Sequence, residues 1–356
     1  MTIKRALPSG KLPASLLRRF LAELRKQVRR RDRRVVVGPG IGLDAAAIDA
    51  MALSGRYLVA KTDPITFVAG ESGAYVLTIN ANDLAVMGAA PRWFLATLLL
   101  PAGTTTSALV SRLFSRLAAS CRRLNVSLIG GHTEITDAVT RPVIVGCLFG
   151  DCPKQGLVTA SGARVGDAIL LTKGIPIEAV SILARERGAE LRRRYPARFV
   201  SRCRDYLTRP GISVLRDAQV ALAAGGVHAM HDPTEGGLSA ALYELAEAAG
   251  VGVRIEEQAI KILPEGARLC ADFGISPLGA IASGALLICA DPKREPIILR
   301  RLKRAGVPAA RIGTVVPAGR GVRMVTGGLY PRPVPRFAVD EIARLFKTRH
   351  GRGGVA

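Results

Sequence analysis

Four aspartates of this 356-residue chain stand in company that does not suit a charge. Asp44 lies in GLDAA, Asp63 in KTDPITF, Asp83 in NANDLAVMGAAP and Asp232 in HDPTEGGL. Small or apolar residues surround each of them, and glycine clusters flank three. Isolated carboxylates in such surroundings are costly unless something cationic neutralises them. Mg²⁺ meets that need, because it takes hard oxygen ligands and completes its shell with substrate phosphates. The paired glycines Gly130–Gly131 and Gly236–Gly237 let backbone amides approach phosphate oxygens. A helix expected after Gly237 adds the positive end of its dipole. The set reads as a phosphate and magnesium site.

Each piece also has a plainer reading. Asp44 suits the cap of a helix over AAAID, and Asp63 before Pro64 suits a turn. Asp232 and Thr234 suit a helix cap with Glu235 in the first turn. His132 in GGHTEIT suits a hydrogen-bonded loop. Asp83 is harder to place this way, since it falls inside an apolar helical run where capping cannot explain it. The common nucleotide fingerprints, GxxxxGK[ST] and GxGxxG after a strand, are absent. The four histidines (132, 228, 231 and 350) fit no known local Ser–His–Asp signature. The six cysteines form no CxxC pair, which points to buried thiols in a reducing compartment.

The elements that must position these residues alternate irregularly. A first helix is expected at about 14–30, then a strand and glycine loop over RRVVVGPGIGLD. A strand follows at 56–67, which Pro64 limits, then a helix from Gly73 to Met87. Next come a strand near 92–100, a helix near 105–124, and the strands VSLIGGHTEIT and PVIVGCLFG. Strands in pairs predict an α+β sandwich, not a doubly wound sheet. Turn formers at 151–166 mark a boundary. The expected organisation is a basic segment and helix at 1–34, one domain at 35–155, a second at 156–335, and a helix and frayed tail at 336–356.

Hydrophobic content of 49% with 22% charged residues is that of a globular chain. No apolar run is long enough to span a bilayer and no signal core opens the chain, so a soluble cytoplasmic protein without a membrane role is expected. The net charge of +23 is concentrated at 1–34 and 186–204, which allows non-specific affinity for nucleic acid. With aromatic content at 4% and none interleaved in the basic runs, the pattern of a single-strand binder is missing.

In order and approximate spacing, GLDAA, KTDPITF, NANDLAVMGAAP, GGHTEIT, HDPTEGGL and PLGAIASGALL resemble the aminoimidazole ribonucleotide (AIR) synthase-like superfamily over residues 8–330. That group includes selenophosphate synthetase, thiamine-monophosphate kinase and the HypE-type hydrogenase maturation proteins. LPSGKLP, HDPTEGGL and ASGALL bring the likeness nearest to the HypE-type and AIR synthase-related members. The resemblance implies two α+β domains, the first pairing in a homodimer through a barrel-like interface. It also implies ATP between the domains and the dimer partner, its phosphates held through Mg²⁺. Asp44, Asp63, Asp83 and Asp232 carry over as metal ligands, Gly130, Gly131 and Thr133 as phosphate contacts, and Lys11 as part of a phosphate-covering segment. Gly236 and Gly237 join the phosphate contacts from the reading of the residues, and His132 and Glu134 are catalytic candidates by position.

Three departures qualify the likeness. Leu43 stands where many relatives carry a second acid, and His132 stands where the kinase and the ribonucleotide synthase have an acid. The terminal cysteine of HypE-type proteins has no counterpart in RHGRGGVA, the last cysteine being Cys289, and none lies near Lys11 as in selenophosphate synthetase. The expected activity is therefore an ATP- and Mg²⁺-dependent transfer of phosphoryl to an oxygen of a small substrate, with a protein partner if it serves a maturation pathway. A small-molecule kinase and a non-catalytic nucleotide-binding scaffold are the alternatives.

Overall fold

The computed structural model describes residues 15, 16, 18, 19, 34–38, 40–51, 55–65, 72–327 and 330–350. Lys11 and most of the first expected helix lie outside them. A six-stranded sheet comes first, from β1 (Val35–Val37), β2 (Ala46–Met51), β3 (Arg56–Ile65), β4 (Ala90–Pro101), β5 (Ser127–Thr136) and β6 (Val143–Pro153). Its spatial order is β1-β2-β3-β6-β4-β5. Among the described strands of this sheet only β4 and β5 run parallel. A parallel pair needs a crossover, and α2 (Ser107–Leu124) supplies it. Pro64 pairs with Val145 near the end of β3, which stops one residue later at Ile65.

The helix between β3 and β4, α1 (Ser72–Val86), is buried at every position from Tyr75 to Val86. A helix enclosed on all sides has no polar face to show in its sequence. Amphipathic α2 is its opposite: Leu113, Leu117 and Cys121 are buried, Thr106 caps the start, and left-handed Asn125 ends it.

The second sheet has seven strands: β7 (Ala168–Thr172), β8 (Val227–His231), β9 (Gly252–Glu256), β10 (Leu287–Ala290), β11 (Ala309–Val316), β12 (Val322–Val325) and β13 (Arg332–Pro333). Their order is β13-β12-β9-β11-β7-β10-β8. Around it lie α3 (Ile177–Glu186), α4 (Gly188–Arg194), α5 (Ala197–Asp205), α6 (Leu215–Ala224), α7 (Gly237–Ala249), α8 (Pro264–Phe273), α9 (Glu295–Arg304) and α10 (Glu341–His350). This is the expected two-sheet α+β class, and neither sheet closes on itself among the described residues.

One apolar core runs through both sheets, with Val59, Phe94 and Leu148 in the same cluster as Leu170, Met230 and Leu286. A polar clasp adds to it. Buried Asn82 on α1 donates to the Ile212 carbonyl at 2.8 Å and accepts from the Val214 amide at 2.9 Å. Part of the 186–204 charge is also used internally: Arg187 and Arg194 pair with Glu190, and Arg202 pairs with Glu265. Among the described residues no helix is long and apolar enough to cross a membrane.

Candidate functional site

The end of β8 delivers His231, and Asp232 follows it in the turn before α7. Asp44 arrives from the other domain on the loop ahead of β2. Gly42 makes that approach possible. It has φ +70°, and a Cβ there would come within 2.4 Å of the Glu244 carbonyl on α7, so only glycine lets the loop rest on this helix. The Asp44 carboxylate thereby lies 2.8 Å from His231 Nδ1, and Glu244 Oε2 lies 2.9 Å from Nε2. Burial alone would lower the His231 pKa, but the two carboxylates reverse this and hold it well above the usual value. His231 is then an imidazolium with both N–H groups donating.

Alternation along β3 puts Lys61 and Asp63 on one face. The Lys61 ammonium lies 2.9 Å from Asp83 Oδ2 and 3.6 Å from Asp63 Oδ2. Burial would depress Lys61, yet Asp83, Asp63 and Asp44 raise it above its ordinary value and keep it charged. Burial pushes Asp83 well above the carboxylate range and Lys61 pulls against it, while Asp232, Asp44 and Asp63 add to the rise. The four aspartates singled out in the sequence therefore act on one another at one place. Asp232 is 1% exposed, and ligand atoms of Asp44, His231 and Asp232 all lie within 4.8 Å of one another. Hard carboxylate oxygens in this number suit Mg²⁺. Part of the cation that the sequence called for is nevertheless the chain's own, in Lys61 and His231.

Glu178 joins the cluster from the first turn of α3. It is buried, and burial is the main cause that lifts its carboxyl to about 7; Asp340, Asp232 and Asp63 add to this and the nearby Ser283 hydroxyl opposes it. Ser283 comes from the PLGAIASGALL segment. Sequence reasoning missed Glu178, Glu244, Lys61 and His231. Strand alternation would have exposed Lys61, whereas no local pattern marks the other three.

The glycines divide differently from expectation. The Gly236 amide donates to Asp340 Oδ2 at 2.7 Å, and the Gly237 amide donates to the Thr234 carbonyl at 2.9 Å. A Cβ on Gly237 would lie 2.6 Å from the carbonyls of Leu278 and Ala280. The pair thus serves a left-handed turn and a close approach, and its amides are spent inside the chain. Gly130, Gly131, His132, Thr133 and Glu134 lie on β5, an exposed edge strand. The register runs Asp63, Gly146, Ala96, Gly131 across four strands. Three strand spacings put Gly131 roughly 14 Å from Asp63. His132 and Glu134 sit 3.7 Å apart on this edge, away from the acids of their own chain. Cys289 is enclosed in β10, where burial pushes its thiol up.

Residues 42–152 match the model of the AIR synthase related protein N-terminal domain, and residues 164–326 match that of its C-terminal domain. The chain belongs to the AIR synthase related family. Among the family's curated members it is similar to carbamoyl dehydratase HypE of Cupriavidus necator, with 30% identity over 85% of this chain and 86% of that protein. A solved HypE in complex with ATP aligns at a TM-score of 0.68 and 22% identity, covering 94% of this chain and 98% of that one. ThiL complexed with AMPPCP and TMP aligns at 0.68 and 20% identity, covering 91% and 98%. The two solved structures share the fold.

Proposed function

We propose that this AIR synthase-related chain is an ATP-dependent enzyme that activates an oxygen of a small substrate by phosphoryl transfer, with Mg²⁺ as counter-ion of the triphosphate. The observation that carries the reading is the meeting of Asp44, Asp63 and Asp83 from one domain with Asp232 from the other. Carboxylates hold phosphates only through a cation, and Mg²⁺ shares its shell readily between the two. Kinship supports the same reading: the HypE of Cupriavidus necator is a carbamoyl dehydratase, and HypE and ThiL have been solved with ATP and AMPPCP. Phosphorylation of a carbonyl or amide oxygen makes it a leaving group for dehydration; direct phosphorylation of a small acceptor is the other outcome. Asp44 and Asp232 would hold the ion, while His231 and Glu244 fix the Asp44 carboxylate.

The reading includes a homodimer. Among the described residues edge strand β5 pairs on one side only, with Leu128, Ile129 and Ile135 at 43%, 55% and 60% exposure. An apolar open edge calls for cover. A second copy seated there is the route by which His132, Thr133 and Glu134 would meet acids that their own chain holds apart. A protein partner enters where the substrate oxygen is carried on one.

The test is thermal unfolding with ATP, with and without Mg²⁺, for the wild type and Asp232→Asn. A ligand that binds only the native state raises the midpoint by linkage. The expected result is a Mg²⁺-dependent rise in the wild type that Asp232→Asn loses. No rise at millimolar Mg-ATP would overturn the reading.

A further inference from the structure

The acid cluster has two halves that differ in what they already hold. In one, Asp44 and Asp232 approach each other from different domains, and with His231 their ligand atoms lie within 4.8 Å. Both ring nitrogens of His231 face carboxylates, Asp44 on one side and Glu244 on the other. Both ring positions are taken up by these carboxylates, and the donors of this half are carboxylate oxygens. In the other half, the Lys61 ammonium stands between Asp83 and Asp63, at 2.9 and 3.6 Å.

We propose that Lys61 is the resident cation of the Asp63–Asp83 half, standing where a divalent ion would otherwise bridge those carboxylates, so that the divalent ion is taken at Asp44 and Asp232. The inference rests on the nucleotide reading above and deepens it.

Mg²⁺ binds carboxylate oxygen at about 2.0–2.1 Å. An ion bridging Asp63 and Asp83 must enter the space that the ammonium fills, and the two positive charges repel at that distance. Lys61 is not a surface side chain free to leave. It belongs to β3, which is flanked by β2 and β6, and its side chain is only 23% exposed. Asp83, its nearer partner, is fixed on the enclosed helix α1 and cannot follow a departing ion into solvent. A tethered ammonium offsets one negative charge of its half whatever the magnesium concentration. Its single charge and longer contact distances leave Asp63 and Asp83 oriented but unable to bind metal.

The test counts Mn²⁺ bound to the full chain in the presence of AMPPCP, by electron paramagnetic resonance of the free ion. Lys61→Met should bind one more Mn²⁺ per chain than the wild type, and Lys61→Arg should bind the wild-type number. Asp63→Asn in the wild-type background should leave the number unchanged. An unchanged count in Lys61→Met, or a lower count in Asp63→Asn, would overturn the assignment. If the circular dichroism of Lys61→Met shows that it fails to fold, the Asp63→Asn count decides alone. A wild type that binds no Mn²⁺ with nucleotide would sink the nucleotide reading and this assignment together. A wild type that binds Mn²⁺ and matches Lys61→Met sinks only the assignment.

Discussion

At the scale of single side chains, burial governs how Glu178 titrates. Its carboxyl rises from an ordinary 4.5 to about 7 in the folded chain. Between those values the folded chain holds a proton that the unfolded chain releases. Stability therefore falls as pH rises through this window, and the full cost is present above 7. Glu178→Gln removes the titration. It should exceed the wild type in urea unfolding at pH 8 by on the order of 3 kcal/mol, with the gain fading toward pH 4. An equal gain at both pH values would mean that the buried charge is not the cause. The same scale shows how far a sequence reaches toward a site. Asp44, Asp63, Asp83 and Asp232 stand out because each is an acid among apolar neighbours, and the structure gathers them. Their partners were less visible. Lys61 is two residues from Asp63 and legible from strand alternation, but His231 and Asp44 are 187 residues apart and only the fold joins them. The aspartates call for positive charge, and a lysine and a histidine supply part of it.

At the scale of elements, α10 depends on one residue ahead of its first turn. Asp340 accepts from the Ile342 amide at 2.8 Å and from Gly236 at 2.7 Å, joining the tail helix to the turn that carries Asp232. Burial is the main cause that lifts its carboxyl to about 6, with Glu235 adding to the rise and the amides of Gly236, Ile342 and Ala343 holding it down. Asp340→Ala removes a helix cap, at about 1–2 kcal/mol, and strands the Gly236 donor. Hydrogen exchange should quicken at 341–346 and at Gly236, while Asp340→Asn, which keeps an acceptor, should lose less. Unchanged exchange in the alanine variant would refute the link. Elements with a strong local pattern, such as α2, β4 and β6, were legible because burial and periodicity agree in them. AAAID left a choice, since alanines suit a helix and Asp44 could cap it. Pairing decides for a strand, with β2 held between β1 and β3 and Ile48 opposite Leu58. The double glycine of HDPTEGGL suits a phosphate cradle in sequence, because sequence cannot show which carbonyls crowd a Cα.

At the scale of the whole molecule, the open edge of β5 and the shared core set different expectations. If the edge closes against a second copy, Ile129→Lys should shift the mass by light scattering from dimer to monomer while leaving the circular dichroism intact. A dimeric Ile129→Lys would place the interface elsewhere. The core is a matter within one chain. Leu170, Met230 and Leu286 share it with Val59 and Phe94, and Asn82 clasps Ile212 and Val214 one residue before Asp83 on the same helix. These two domains are consequently poor material for exchange between family members. A chimera that kept the first domain and borrowed the second from a relative would need a carbonyl and an amide offered at the right places to that one side chain. Without them it would carry an unanswered amide beside the acids, and the active surface would register the mismatch before the fold did.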